Sequence, residues 1–546
     1  MLEDIDPDKI EDPHAKQCVL TLLNLAESHL EQIRLLKEQV QLLRDEIARL
    51  KGQQGKPNVR PNKPAVDHSS EAQRRNPTVW QKRPKRDFLE VTRTCEVGID
   101  ISTLPSDAEF KGYAEFTVQD LKLVCETICF RRAKFYSPST KQTYLAPLPK
   151  GYDTHFGPGV KSLALWLGYA GNMSQAAIHS LFTCAGVNIS TGQVNRLLVE
   201  GQDLFHQESQ EVLLCGLGSS PWANIDDTAT RVNGRNEHCH VLGNPLFSFY
   251  HTAPRKDRQA VLSALCGGKA LTYLCNSAAL AYMQIQGLGK PDRKRLLHLP
   301  QDTTMSGEVL LLLLREFLPH LKPRQITTIQ EGMAIAAYQA QREFPALQLL
   351  VCDAAGQFVW LTLERALCWI HDGRHYAKLM PRLAHHAKLL TDFQARYWDF
   401  YHALLAYQKS PTSVEAVRLE SKFDTLFATV SGYDALDDRI QKTRAHKDEL
   451  LMVLLHPEIP LHNNAAELAA RRRVRKRDVS FGPRSDLGKN CWDTFMTLSA
   501  TAAKLGVNFY HYLNDRLSKA GEIPSLASLI RERAEHLKLG ASWEAA

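Results

Sequence analysis

The sequence predicts a multidomain α/β protein with helical insertions, preceded by a helical region and an N-terminal coiled coil. Three observations predict it. The chain is 546 residues long, more than one hydrophobic core normally serves. Two short apolar runs, "WANIDD" and "LQLLVCDAAG", read as buried strands that each end in an aspartate, with helical-period sequence between and after them. Near the N-terminus apolar residues recur every seven positions.

The heptads come first. Ala26, Ile33, Val40 and Ile47 occupy a positions, and Leu22, Leu36, Leu43 and Leu50 occupy d positions, with His29 the one polar intruder. Mostly β-branched a residues with leucine at d favour a parallel two-stranded coil, so residues 1–51 are expected to form a homodimer. Glu46 at g can reach Lys51 at e of the partner chain. The competing expectation is a helix packed on its own domain. Residues 52–87 turn to proline, glycine, lysine and arginine, too poor in apolar side chains to order themselves, and predict a flexible basic linker. It either tracks a polyanion by charge or serves only as a spacer.

Residues 88–150 alternate apolar and polar, as in "YAEFTVQDLKLVCETICF", and predict a small strand-rich, DNA-binding module with a basic edge at Arg131, Arg132 and Lys134. Residues 151–215 are expected to be helical. In "MSQAAIHSLFTCAGVNISTGQVNRLLVEG" a first helix ends near Gly186 and a second begins near Gly192, the outline of a helix-turn-helix. Gln193, Asn195 and Arg196 then stand near the start of a helix able to enter a major groove, although many helical hairpins of this form touch no DNA.

Composition sets outer bounds. A hydrophobic content of 44% and a charged content of 23% are ordinary for a globular protein, and a net charge of +7 is small for this length. Any polyanionic partner must therefore be met by local clusters. "MLEDIDPDKIEDPHAK" is too acidic for a secretory signal, and "VLLLLLREFL" is too short to span a bilayer, so a cytoplasmic protein without membrane contact is expected. The 12 cysteines include no Cys-x-x-Cys pair. Cys125 and Cys129 come nearest, and plain buried thiols are the simpler reading.

Three acidic positions stand apart from ordinary surface carboxylates. Asp226 ends the run "WANID" and is followed by "HCHVLGNPLFSFYH", readable as two more strands joined at Gly-Asn. Asp353 ends "LQLLVC". Glu467 lies on a helix, in "LHNNAAELAARRRVRKRDVSF". Singly, each could be a helix cap or half of an ion pair. Together, two strand ends and a helix can converge three carboxylates, which repel unless cations neutralise them. Hard oxygen ligands suit Mg2+, with Mn2+ as a substitute, and two such ions suit phosphodiester displacement.

"NIDDT", "LLVCDAAGQF" followed by "LCWIHDGRHY", and "HNNAAELAARRRVRKRDVSFGP" through "TLSATAAKLGVNFYHYL" resemble the transposases of the bacterial insertion sequence 66 family. The resemblance covers roughly residues 88–513. It implies a ribonuclease-H-like mixed sheet carrying a DDE triad at Asp226, Asp353 and Glu467, with Asp227 where the family usually has glutamate. It also implies two Mg2+ ions, binding of the element's terminal inverted repeats and of target DNA, metal-dependent strand cleavage and strand transfer, nucleoid association and small accessory proteins. The sequence departs from the family at its depleted cysteine module, at His462, at Leu468 and in a long interval before Asp353.

On this reading residues 216–359 form the first part of the catalytic core, with a helical insert at about 255–345. Residues 360–456 form a helical insertion, 457–515 complete the core, and 516–546 form a helical tail. Arg471, Arg472, Arg473, Arg475, Lys476 and Arg477 are expected to meet DNA phosphate, with Arg374 and His375 as further backbone contacts. In the same stretch Cys368 and His371 are either core residues or positioning groups. The alternatives are a nuclease or resolvase of the same fold that does not join strands, and a DNA-binding derivative without catalysis.

Overall fold

The computed structural model describes residues 7–51, 90–100, 103–105 and 108–544 of the chain. The linker expected over 52–87 lies outside the described residues. Helix α1 (Pro13–Leu50) starts where Asp12 accepts from His14 N at 2.8 Å and Pro13 sets the first turn. Its heptad seam is solvent-exposed: Leu36 is 57% and Leu43 63% accessible. A different face, with Leu23 and Glu27, is buried. Glu27 accepts from Leu383 N at 3.1 Å and from His386 Nδ1 at 3.2 Å. The helix thus packs on its own chain through that face and leaves the seam uncovered.

The strand-rich module is a correction. Among the described residues of 88–150 only one hairpin forms, β1 (Lys134–Ser137) with β2 (Gln142–Leu145). Phe116, Val118, Leu121 and Val124 are largely exposed, because the alternating stretch has no partner strand and no second layer to bury its apolar side.

Helices α2 (Pro158–Leu165), α3 (Gln175–Cys184), α4 (Thr191–Val199) and α5 (Asp203–Gly218) follow, with a π turn at Trp166–Ala170. Ser174 caps α3 and Ser190 caps α4 through their hydroxyls, and Gly186 turns the chain between them at φ +86°.

A five-stranded mixed sheet comes next. Strands β3 (Trp222–Val232), β4 (Arg235–Gly243) and β5 (Ser248–Ala253) are antiparallel. Asn233 and Gly234, both at positive φ, make the tight β3–β4 turn. The chain then builds α6 (Arg258–Leu265), β6 (Thr272–Leu274), α7 (Ser277–Ile285), α8 (Lys290–Leu296), β7 (Thr304–Ser306), α9 (Gly307–Phe317) and α10 (Pro323–Ala340). The insert expected at 255–345 is thus mostly helical but also holds a small β6–β7 ladder.

The main sheet resumes with β8 (Leu349–Cys352) and β9 (Glu364–Leu367), in the order β5-β4-β3-β8-β9, with β3, β8 and β9 parallel. All four residues of β8 are buried, as its unbroken apolar run requires of a central parallel strand. Because β9 belongs to the sheet, the helical insertion begins at Trp369 rather than at 360. It comprises α11 (Trp369–Ala377), α12 (Ala384–Lys409), α13 (Ser413–Phe427), α14 (Asp434–Arg444) and α15 (Lys447–Leu450).

Helix α16 (Asn464–Ser480) then packs on β3 and β4, and α17 (Asp486–Lys504) covers the β5 edge. Asp493, Thr497 and Thr501 of α17, spaced by four, accept from the backbone N–H groups of Thr252, Tyr250 and Ser248 at 2.7, 3.0 and 3.2 Å. A helix thus satisfies the row of donors that an edge strand would otherwise leave open. Helices α18 (Phe509–Ser518) and α19 (Leu526–Leu537) follow, and the short α20 (Ala541–Glu544) ends the described residues. One hydrophobic core runs unbroken from Ala164 to Leu539, joining the helical region, sheet, insert and insertion. Among the described residues no helix is long and apolar enough to cross a membrane.

Candidate functional site

Asp226 lies in mid-strand, not at a strand tip as expected. It is nonetheless open on one side, because β3 pairs with β8 only at Trp222↔Leu349, Ala223↔Leu350 and Asn224↔Val351. Continuing that register two steps brings Asp226 opposite Asp353, which directly follows β8. Neighbouring strands lie about 5 Å apart, so the two aspartates leave the sheet as neighbours.

The third carboxylate arrives from α16, whose start is fixed by Asn463. Its Nδ2 donates to Ile225 O at 2.7 Å, its Oδ1 accepts from Asn224 Nδ2 at 2.9 Å, and its backbone N–H donates to Cys368 Sγ at 3.2 Å. Glu467, one turn into the helix, then faces a cavity of about 320 Å³ that Asp226, Asp227, Asp353, Arg374 and Arg471 also line. Asn463 is a structural bridge that the sequence signals only through the paired asparagines before the helix.

Electrostatics follow from this crowding. Burial, with Asp353, Glu467 and Asp227 nearby, pushes the Asp226 carboxyl up to about 7, against a stabilising bond from Asp227 N at 2.8 Å. Arg374 grips Glu467 with two donors, at 3.1 and 3.4 Å, and Arg471 stands 3.6 Å from it. Asp227 accepts from Gln357 at 2.6 Å and meets Lys256 at 3.5 Å. Asp353 accepts from Ala355 N at 3.0 Å, closing its own turn. As placed, no group of three or more His, Cys, Asp or Glu among the described residues stands close enough to hold a metal ion. The cationic partners of Glu467 are the two arginines.

The basic run divides in two, which corrects the expectation that all six residues face outward. Ala466, Ala469, Ala470, Arg473 and Lys476 form the buried stripe of α16, at helical spacing. Arg473 is fully buried, 3.0 Å from Asp493, 2.8 Å from Thr252 Oγ1 and over the Trp492 ring. Lys476 donates to Gly168 O between the rings of Tyr169 and Trp492. Burial, together with Arg473, pushes its ammonium down to about 7. Neither side chain reaches a surface ligand.

Arg471 and Arg475 are exposed. Arg472 is half-buried with Ser499 Oγ at 3.5 Å, and Arg477 donates to Ala229 O at 2.6 Å. His375 sits outside the cavity, half-buried, its imidazole pushed down to about 4 by burial and by Arg439, so it carries no charge for a phosphate near neutral pH. Cys368 caps α11 through His371 N at 3.4 Å, and its buried thiol is pushed up to about 11. On α4, Asn195 and Arg196 are exposed and Gln193 half-buried. Asn195 accepts from Gln175, and Gln193 accepts from Arg196.

A further positioning group is Arg258, which sequence reasoning did not single out. It donates to Gly356 O and Val359 O, both at 2.9 Å, and pairs with Glu331 at 2.5 Å. The insert thereby braces the loop after Asp353 that carries Gln357 to Asp227.

No family model and no solved structure matches the chain. It is similar to the uncharacterized protein y4jO of Sinorhizobium fredii, 31% identical over 342 residues that make up 59% of this chain and 100% of the relative. That likeness spans the whole of the relative, and so this chain belongs to the family of y4jO.

Proposed function

We propose that the protein is a DNA transposase of the insertion sequence 66 type, with a ribonuclease-H-like core and a DDE triad of Asp226, Asp353 and Glu467. The observation that carries the reading is the β3–β8 register, which sets two aspartates side by side under a glutamate from a basic helix. The strand order, three antiparallel strands followed by two parallel ones, supports the ribonuclease-H-like part.

In its chemistry, though not in its spacing as placed, the donor set suits divalent magnesium. Three hard-oxygen carboxylates share one cavity, and burial, with the neighbouring carboxylates adding to it, raises the Asp226 carboxyl, a shift that a bound cation would reverse. Asp226, Asp353 and Glu467 would hold two Mg2+ ions, or Mn2+ in their place. Such ions supply Lewis-acid activation of the attacking oxygen and charge neutralisation at phosphorus. Arg374 and Arg471 hold Glu467 in place from the DNA side of the cavity. Arg471 and Arg475 present guanidinium groups to phosphate. Water is the nucleophile in the cleavage that yields a 3′-hydroxyl, and that hydroxyl is the nucleophile in joining to target DNA.

A homodimer would form through the exposed heptad seam of α1, which leaves the face around Leu23 and Glu27 docked on its own chain. The test uses oligonucleotides copied from the DNA on either side of the coding sequence, where inverted repeats are expected. With Mg2+ the full-length protein should nick them at the repeat boundary and join a pre-cut 3′ end to plasmid DNA. Nicking without joining would make it a nuclease. Neither reaction, on DNA that the protein binds, would leave a binding protein.

A further inference from the structure

We propose that Phe481 is a stacking platform for an unpaired DNA base on the strand that leaves the catalytic cavity. This inference rests on the DNA reading above and extends it to a second contact on the same helix. Phe481 ends α16 in the left-handed region, at φ +57°, with its side chain 81% exposed. Glycine normally fills that position after a helix, because a Cβ is strained there. Here the glycine comes one residue later, at Gly482, where a Cβ would meet Arg231 O at 2.1 Å. Asn233 N donates to Pro483 O at 2.8 Å, so the exit loop is pinned to the β3–β4 turn. The fold therefore dictates the backbone of Phe481 and gives the ring nothing to bury against.

The same helix carries a basic track that leads from the carboxylates toward this end. Glu467, Arg471 and Arg475 are spaced by four on α16, so they share one side of the helix. Fourteen residues separate Glu467 from Phe481, about 21 Å at 1.5 Å per residue. A single strand advancing about 3.4 Å per nucleotide covers that in roughly six nucleotides. Two exposed guanidiniums followed by an exposed aromatic ring is the arrangement by which proteins hold single-stranded nucleic acid, with cations on the backbone and a π face on a base. A protein partner would also accept an exposed ring, but it would not explain the guanidinium track that leads from the carboxylates.

The experiment compares two probes on the full-length protein without divalent cation. One is a blunt 30-base-pair duplex. The other is the same duplex with a six-nucleotide 3′ extension carrying 2-aminopurine. Wild-type protein and Phe481→Trp should bind the extended probe about 10-fold more tightly than the blunt one and change its fluorescence. Phe481→Ala should lose both effects while binding the blunt probe normally. Phe481→Gly, freed of the left-handed strain, should melt no lower than wild type, separating stacking from a structural role. An unchanged preference and fluorescence in Phe481→Ala, or a lowered melting temperature in Phe481→Gly, overturns the proposal. If Arg471→Gln and Arg475→Gln weaken both probes while Phe481→Ala alters neither, stacking alone fails. If no variant alters binding to either probe, the DNA reading of this helix fails with it.

Discussion

At Glu467 two guanidiniums converge on one carboxylate, while nine residues further along the same helix a lysine is buried between two aromatic rings. Charge number alone therefore says little about which basic residues meet a ligand. Arg471→Gln with Arg475→Gln should leave the melting temperature nearly unchanged and lower the slope of log affinity against log salt by about two. Arg473→Met should do the opposite: it removes the cationic partner of the half-buried Asp493 carboxylate and costs about 3 kcal/mol of stability by denaturant titration. Lys476 adds a pH signature. Its folded-state pKa of about 7 lies below the ordinary 10.5, so the folded chain binds fewer protons than the unfolded chain between those values. Stability should accordingly rise with pH from about 7 toward 10.5, and Lys476→Met should reduce that rise, the remainder coming from Lys504, which burial likewise pushes down to about 7. The division was legible in the sequence. Arg473 and Lys476 continue the spacing of Ala466, Ala469 and Ala470, an apolar stripe that a count of charges conceals.

Among the elements, strands with buried runs were readable and strands without partners were misread. "LQLLVC" could only be a central strand, and "HCHVLGNPLFSFYH" broke into β4 and β5 as its turn residues indicate. "YAEFTVQDLKLVCETICF" alternates apolar and polar yet forms no strand, because alternation describes a surface and not its partner. The cover over β5 was also present in the sequence, as Asp493, Thr497 and Thr501 at intervals of four, but only the fold shows what those side chains accept. Thr497→Val should cost roughly 1–3 kcal/mol, since it leaves the buried Tyr250 N–H without an acceptor. In α1 the two faces separate cleanly. Replacing Leu36 and Leu43 with glutamate should give a monomer by light scattering with an unchanged melting temperature. Replacing Glu27 with alanine should instead lower the melting temperature, because it uncaps the backbone at Leu383.

Over the whole molecule, sequence spans that look like separate domains share one core, and the catalytic reading depends on that union. Asp226, Asp353 and Glu467 are scattered along the chain. The register of β3 on β8 and the Asn463 bridge from α16 to Ile225 bring them to one cavity. Strand ends and a helix were visible in the sequence, whereas the register was not, since pairing between distant strands is set by tertiary packing. The Arg258 brace was hidden for the same reason: its partners lie on loops and helices far along the chain. With this union, Asp226→Asn, Asp353→Asn and Glu467→Gln should each abolish DNA cleavage while sparing DNA binding, as read by gel shift. The raised Asp226 carboxyl adds that divalent-ion binding near pH 6.5 should release protons, so its calorimetric heat should vary with buffer ionisation enthalpy. The most direct measurement is a Mn2+ titration of the full-length protein, with free ion followed by electron paramagnetic resonance. Two bound ions in the wild type, and loss of binding in each of the three carboxylate variants, is the predicted result. Equal Mn2+ binding by wild type and all three variants would contradict the account.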